Sequence, residues 1–214
     1  MRRVLSCCVI LFASVSTGVA RDYDSMSDAN LSNIPDRHGN FISVSNRSNQ
    51  VRLSSLNRYG TFNWDIAHSD GNVERATTFY IDASGAPVLV GVRLTRGVNY
   101  VWLMKYSNTG QYLWEGTDSE PGCTAFAVVA GQNGNIWVAA SCADGGSYPA
   151  RLMLFNSAGY LVWSHNYTEG GRNYVRNLTL DFMGRVSLTI EINNGTRTGR
   201  TLVFDANGNR LANY

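Results

Sequence analysis

One turn recurs along this chain at nearly constant spacing, and that recurrence constrains the fold more than any other feature. It reads Leu56-Asn57-Arg58-Tyr59-Gly60, Tyr106-Ser107-Asn108-Thr109-Gly110, Phe155-Asn156-Ser157-Ala158-Gly159 and Phe204-Asp205-Ala206-Asn207-Gly208, with glycines 50, 49 and 49 residues apart. Four residues after the first three glycines stands a tryptophan: Trp64, Trp114 and Trp163. The fourth copy has Ala212 there. A second series runs in phase with the first, with glycines Gly39, Gly85, Gly134 and Gly184 spaced 46, 49 and 50. Three of its copies carry an aspartate three residues earlier (Asp36, Asp82, Asp181), and the other carries Gly131. A fixed period of this size is the signature of a repeat architecture.

Each turn has a chemical rationale. An Asn, Asp or Ser at the first position accepts a hydrogen bond from its own backbone two residues on, and glycine at the fourth tolerates positive φ. Such turns join antiparallel strands, and the flanks suit strands: residues 88–92, 135–141 and 186–190 before the variable loops, and 101–106, 150–155 and 201–204 after them. No segment after the N-terminal stretch shows a capped 3.6-residue period. The reading is therefore all-β: four tandem four-stranded antiparallel blades of about 50 residues, β-propeller-like, four-bladed or partial. The copies fall near 29–73, 74–121, 122–171 and 172–214, the first weak in its leading strand and the fourth short in its last. Residues 21–34 are a candidate to complete the last blade and close a ring; the alternative is a homodimer sharing an eight-bladed ring.

The N-terminus has the form of a signal peptide. Arg2 and Arg3 precede an apolar run over 4–12, and Gly18 and Ala20 suit cleavage before Arg21. The run is too short for a membrane span of roughly 20 residues. The mature domain would be 21–214, periplasmic or secreted. Without Arg2 and Arg3 the 18 basic residues become 16, equal to the 16 acidic ones. No basic cluster of the kind that holds a phosphate backbone is evident, so nucleic acid is not expected as a partner. Cys7 and Cys8 lie in the signal, leaving Cys123 and Cys142. An even pair in an exported chain reads as a disulfide. The turn Gly131-Gln132-Asn133-Gly134, paired symmetrically about its centre, sets Cys123 opposite Cys142.

With these motifs the chain resembles bacterial β-propeller repeat proteins of the pattern Asp-x-x-Gly-Asn-x-Tyr-Val-Thr-Gly … Lys-Tyr-x-x-x-Gly-x-x-Leu-Trp. The likeness is carried by Asn133-Gly134-Asn135-Ile136-Trp137-Val138, by Lys-Tyr-Ser-Asn-Thr-Gly-Gln-Tyr-Leu-Trp at 105–114, and by residues 155–163. It implies an exported propeller and specifies fold rather than activity. A weaker likeness to quinoprotein propellers lies in the recurring tryptophan. The chain is short for a quinone enzyme, and no cofactor is expected.

Chemistry is harder to find in the sequence. His38, His68 and His165 are dispersed, and the reading places them in turns and at blade rims with no metal site. No serine stands in a Gly-x-Ser-x-Gly elbow. Asp65 with Asp70, and Asp118 with Glu120, are carboxylate pairs that could do acid–base work. Asp205-Ala206-Asn207-Gly208-Asn209 departs from a calcium loop and is read as turn chemistry. Trp64, Trp114 and Trp163 are expected to pack between blades, with Gly60, Gly110, Gly159 and Gly208 forming the turns. Tyr100, Tyr148, Tyr167 and Tyr174 fall in or beside loops and are candidates to stack on sugars or anchor a protein. The leading expectation is a non-catalytic exported propeller presenting loops to a protein or glycan. The alternatives are a carbohydrate-active enzyme using loop carboxylates, and an assembly module that forms a larger propeller.

Overall fold

The computed structural model describes residues 30–47, 50–68, 70–143 and 148–214. The expected signal peptide, residues 1–20, lies outside them. Sixteen strands form four sheets, each an antiparallel meander in sequence order. The first sheet is β1 (Asn30–Pro35), β2 (Phe41–Arg47), β3 (Gln50–Leu56) and β4 (Phe62–His68). The second is β5 (Val73–Ile81), β6 (Pro87–Thr95), β7 (Val98–Tyr106) and β8 (Tyr112–Pro121). The third is β9 (Cys123–Ala130), β10 (Ile136–Cys142), β11 (Ala150–Phe155) and β12 (Leu161–Tyr167). The fourth is β13 (Arg172–Leu180), β14 (Val186–Asn193), β15 (Arg197–Phe204) and β16 (Arg210–Asn213). The chain is thus an all-β, propeller-type array of four blades. Among the described residues no helix is long and apolar enough to cross a membrane.

The turns form as their chemistry demands. In the first blade Asn57 Oδ1 accepts from the backbone N–H groups of Tyr59 (2.9 Å) and Thr61 (3.0 Å), and the Gly60 N–H donates to the Asn57 carbonyl (2.9 Å). Asp36, Asp82 and Asp181 do the same work in the other series. The repeat extends to features invisible as motifs. In every blade the ladder between the first two strands skips one residue: Leu31, Thr77, Phe126 and Arg176. Each lies eight residues before the glycine of its blade's leading turn, Gly39, Gly85, Gly134 or Gly184. Such bulges sharpen the local twist.

The bulge at Phe126 also completes the account of the disulfide. Beside the turn Ile136 pairs with Ala130, one residue away from the symmetric register. The bulge absorbs that residue, so Cys142 pairs with Cys123, and the two are bonded. The pairing is as expected, but two offsets cancel to produce it. The bond is consistent with an oxidising compartment outside the cytoplasm.

Three hydrophobic clusters hold the array, one at each seam between consecutive blades. Val44, Leu53, Leu89 and Met104 join blades one and two. Val90, Leu103, Val138 and Phe155 join two and three. Leu152, Trp137, Leu188 and Phe204 join three and four. The tryptophans complete these seams. A Cβ on Gly110 would meet Trp64 at 2.8 Å, one on Gly159 would meet Trp114 at 2.5 Å, and one on Gly208 would meet Trp163 at 2.5 Å. Each glycine therefore serves the turn and also lets the preceding blade's indole lie flat on it. Residues 30–35 pair with β2, and the fourth sheet is completed by its own β16. The described part of the segment expected to close the last blade belongs instead to the first.

Candidate active site

Each seam carries a second repeated feature, an arginine clamp. Asp70, Glu120 and Glu169 each stand ten residues after a second-turn glycine. Each reaches an arginine of the following blade: Asp70 to Arg93 (3.1 Å), Glu120 to Arg151 (3.9 Å) and Glu169 to Arg200 (2.7 Å). At two of these seams acid and base differ by a single charge. Arg151 is held by Asp118 (2.6 Å), Ser164 (2.6 Å) and Asn166 (2.9 Å). Glu169 binds both Arg200 and Arg210 (2.9 Å). The pairs anticipated from sequence are therefore divided differently. Asp118 and Glu120 share one arginine, whereas Asp65 is taken by Arg52 within its own blade and lies apart from the Asp70 clamp. Asp65, Asp118 and Glu120 stand in strands rather than loops.

The seam between blades one and two is different. Around the Arg93 guanidinium, on β6, converge Asp70 from the β4–β5 connection, Glu74 from β5 and Glu115 from β8 (2.8 Å), with His68 from the end of β4 beside them. One donor atom from each of His68, Asp70, Glu74 and Glu115 lies within 4.8 Å of the others. Three carboxylates against one guanidinium leave an excess of negative charge that the imidazole answers. His68 Nε2 is 3.3 Å from the carboxylate of Glu74, which is almost wholly buried. That contact raises the His68 pKa above the ordinary imidazole value against the opposing effect of burial. On its other side Nδ1 lies 3.0 Å from the Tyr106 hydroxyl. Burial pushes the Tyr106 phenol up to about 12. The Tyr112 ring stacks on the imidazole at 6.1 Å between centroids. Burial also opposes ionisation of Asp70, but the backbone and side-chain N–H groups of Asn72 and the charge of Arg93 outweigh it and hold that carboxyl below its usual range.

Glu115 and Arg93 face outward into an open pocket of about 260 Å³ that reaches the third blade. Gly116, Thr117, Gly159, Tyr160 and Leu161 complete its wall, and Tyr160 is 72% exposed. The four groups have the spacing of metal ligands, and the Arg93 guanidinium already contacts all three carboxylates.

The histidines do not share one environment. His38 lies exposed in the first turn beside Asp36, and His165 packs between the rings of Trp163 (5.0 Å) and Tyr167 (6.3 Å). His68 is a correction to the rim expectation, because β4 delivers it into the seam. The tyrosines also separate. Tyr167 ends β12 and packs on Phe204 at 4.8 Å, so it is part of the third seam rather than a loop anchor. Tyr100 lies in β7 opposite Arg93 on β6. Tyr174 lies in β13, and Tyr148 makes an isolated bridge to Arg172. Glu74, Arg93 and Glu115 escaped the sequence reading. The one signal is Arg93, a charge within the otherwise apolar β6 of a chain that is only 16% charged.

No protein-family model matches the sequence, and no curated protein matches it. Among solved structures the chain is similar to an endo-1,4-β-xylanase from Bacteroides thetaiotaomicron (13% identity, TM-score 0.49, covering 86% of this chain and 76% of that one). It is also similar to a GH43 β-1,3-galactosidase seen with galactodeoxynojirimycin (10%, 0.47, 86% and 75%). A third is an α-L-arabinofuranosidase from Clostridium thermocellum (12%, 0.49, 86% and 70%). The likeness is one of fold. The chain itself gathers a histidine and three carboxylates beside a pocket. The expectation of a non-catalytic module is corrected on that convergence. It rested on finding no convergent groups in the sequence, and they converge only across blades.

Proposed function

We propose that the chain is a carbohydrate-active enzyme, exported to the periplasm or beyond, with its reacting groups at the seam of blades one and two. The observation that carries this reading is Glu115: it belongs both to the charge cluster and to the pocket wall. The pocket offers what a sugar ring needs, an exposed tyrosine face, a guanidinium, a hydroxyl and a carboxylate. A carboxylate held by a guanidinium on the pocket wall suits a double displacement, in which a glycosyl ester forms and water then cleaves it. In that scheme Glu115, the carboxylate on the pocket wall, attacks the anomeric carbon, and the departing oxygen takes a proton from water in the open pocket. Water then cleaves the glycosyl ester, freeing the Glu115 carboxylate and releasing the proton that balances the first step. Arg93 fixes Glu115 and Asp70, and the buried Glu74 holds His68 beside them.

The test is release of reducing ends from a panel of polysaccharides and aryl glycosides by the mature chain and by Glu115→Gln. The expected result is hydrolysis with retained anomeric configuration, and a fall in kcat of about 10²–10³ in the variant without loss of folding. Absence of turnover across the panel, or a variant as active as the parent, would overturn the reading.

A further inference from the structure

The outward face of the fourth blade carries a second constellation, remote in sequence from the Arg93 cluster. Arg172 opens β13 and is exposed. Its guanidinium lies 4.3 Å from the centre of the Tyr148 ring, and Tyr174 bonds it from two residues along the strand. Among the described residues no carboxylate lies within ion-pair reach of Arg172, whose partners are two phenols. The neighbouring cations share one acid: Glu191 meets Arg176 at 3.0 Å and Arg197 at 3.7 Å. Arg197 is 73% exposed in its side chain. Three guanidiniums against one carboxylate leave a net positive patch lined by two aromatic rings, on a chain whose other seam arginines are answered by carboxylates.

The patch is built, not incidental. Asn173 is 1% exposed, and both its backbone N–H (2.9 Å) and its side-chain amide (3.1 Å) donate to the Tyr148 carbonyl. That pins the 148 segment beside β13 and sets Tyr148 under Arg172. The bulge at Arg176 takes that residue out of the strict alternation of β13, and its side chain meets Glu191 on the next strand.

We propose that this face binds an acidic polysaccharide, one whose sugars carry carboxylates at intervals. Guanidinium groups recognise carboxylates through paired hydrogen bonds, and tyrosine faces take the apolar sides of pyranose rings. Glu191 suits a partner that carries hydroxyls beside its carboxylates, because its oxygens accept hydrogen bonds from sugar hydroxyls; nucleic acid is the alternative that the DNA arm of the test decides. The choice of polymer rests on the glycan reading above, while binding here is independent of Glu115.

The experiment is calorimetric titration of the full mature chain with polygalacturonate, a neutral galactan of similar length and single-stranded DNA. The expected result is binding to polygalacturonate alone, weakened by salt, and weakened at least tenfold in Arg172→Ala and in Arg197→Glu. Arg197 is so exposed that its variant leaves folding intact. Glu115→Gln should bind as the parent does, so loss of turnover and loss of binding report on separate sites. Equal binding of the neutral polymer, tighter binding of DNA, or unchanged affinity in both arginine variants would overturn the proposal.

Discussion

The interior seams and the two terminal faces of the array are built on the same backbone positions with opposite chemistry. Where blades two, three and four place Leu89, Val138 and Leu188 against the preceding blade, the first blade has Ser43. Where they place Met104, Met153 and Leu202, it has Ser54. On the other side, Val44, Val90 and Ala139 face the following blade, and the fourth blade has Thr189. Leu53, Leu103 and Leu152 give way to Thr201. The interior positions are fully buried and the terminal ones half-buried. The tryptophan follows the same rule: the blade with no seam after it has Ala212, and nothing lies within 4 Å of a Cβ on Gly60. A repeat array ends stably when its outer faces are polar, because an apolar face without a neighbour recruits one. Closing the fourth blade onto the first would therefore join two hydroxyl-bearing faces, unlike any of the three seams that hold the array.

Three experiments break or sharpen this contrast. The largest effect is expected at the buried clamp of the second seam. Arg151 and Asp118 are 8% and 1% exposed, and Arg151→Ala leaves a buried carboxylate unpaired, at a cost of about 3–5 kcal/mol. The terminal counterpart, Arg52→Ala, removes a solvent-facing pair and should change stability far less. Urea titration of both variants measures the difference, and equal losses would mean that the seams are not where stability resides.

Next in size is a pair of glycines with the same turn and nearly the same backbone. Gly159 has φ of 84° and Gly60 of 79°. Alanine at either place costs about 1 kcal/mol in backbone strain. At Gly159 the new methyl also strikes Trp114, adding about 1–3 kcal/mol. A melting-temperature loss no greater in Gly159→Ala than in Gly60→Ala would refute the indole-on-glycine account of the seam.

The smallest effect separates the first seam from the other two. The His68 pKa is raised by Glu74, so the folded state holds its proton more tightly than the unfolded chain does. The stabilisation is fully present below the unfolded value of about 6.5 and is lost as pH rises through the folded pKa. The melting-temperature gap between the parent and His68→Gln should accordingly be larger at about pH 5.5 than at about pH 8.5. A gap that does not change with pH would detach His68 from the carboxylate cluster.

How much was legible in advance follows from the range of the interactions. Asn57, Asp36 and their counterparts bond to backbone within four residues, so the turns, and with them four meanders, are written locally. The serines and threonines of the terminal faces were equally open to reading once the copies were aligned by their glycines. The reacting cluster was not. His68, Asp70, Glu74, Arg93 and Glu115 come from four strands, one connection and two blades, and no spacing along the chain marks their meeting. Local hydrogen bonds need only neighbouring residues, so the sequence by itself determined the blade, its turns and the cysteine partners. The balance of charge at each seam depends on which long side chains two packed sheets bring together. Only the tertiary structure decided that Arg151 is matched by its neighbours, that Arg93 is surrounded by an excess of acid, and that Arg172 stands between two tyrosines.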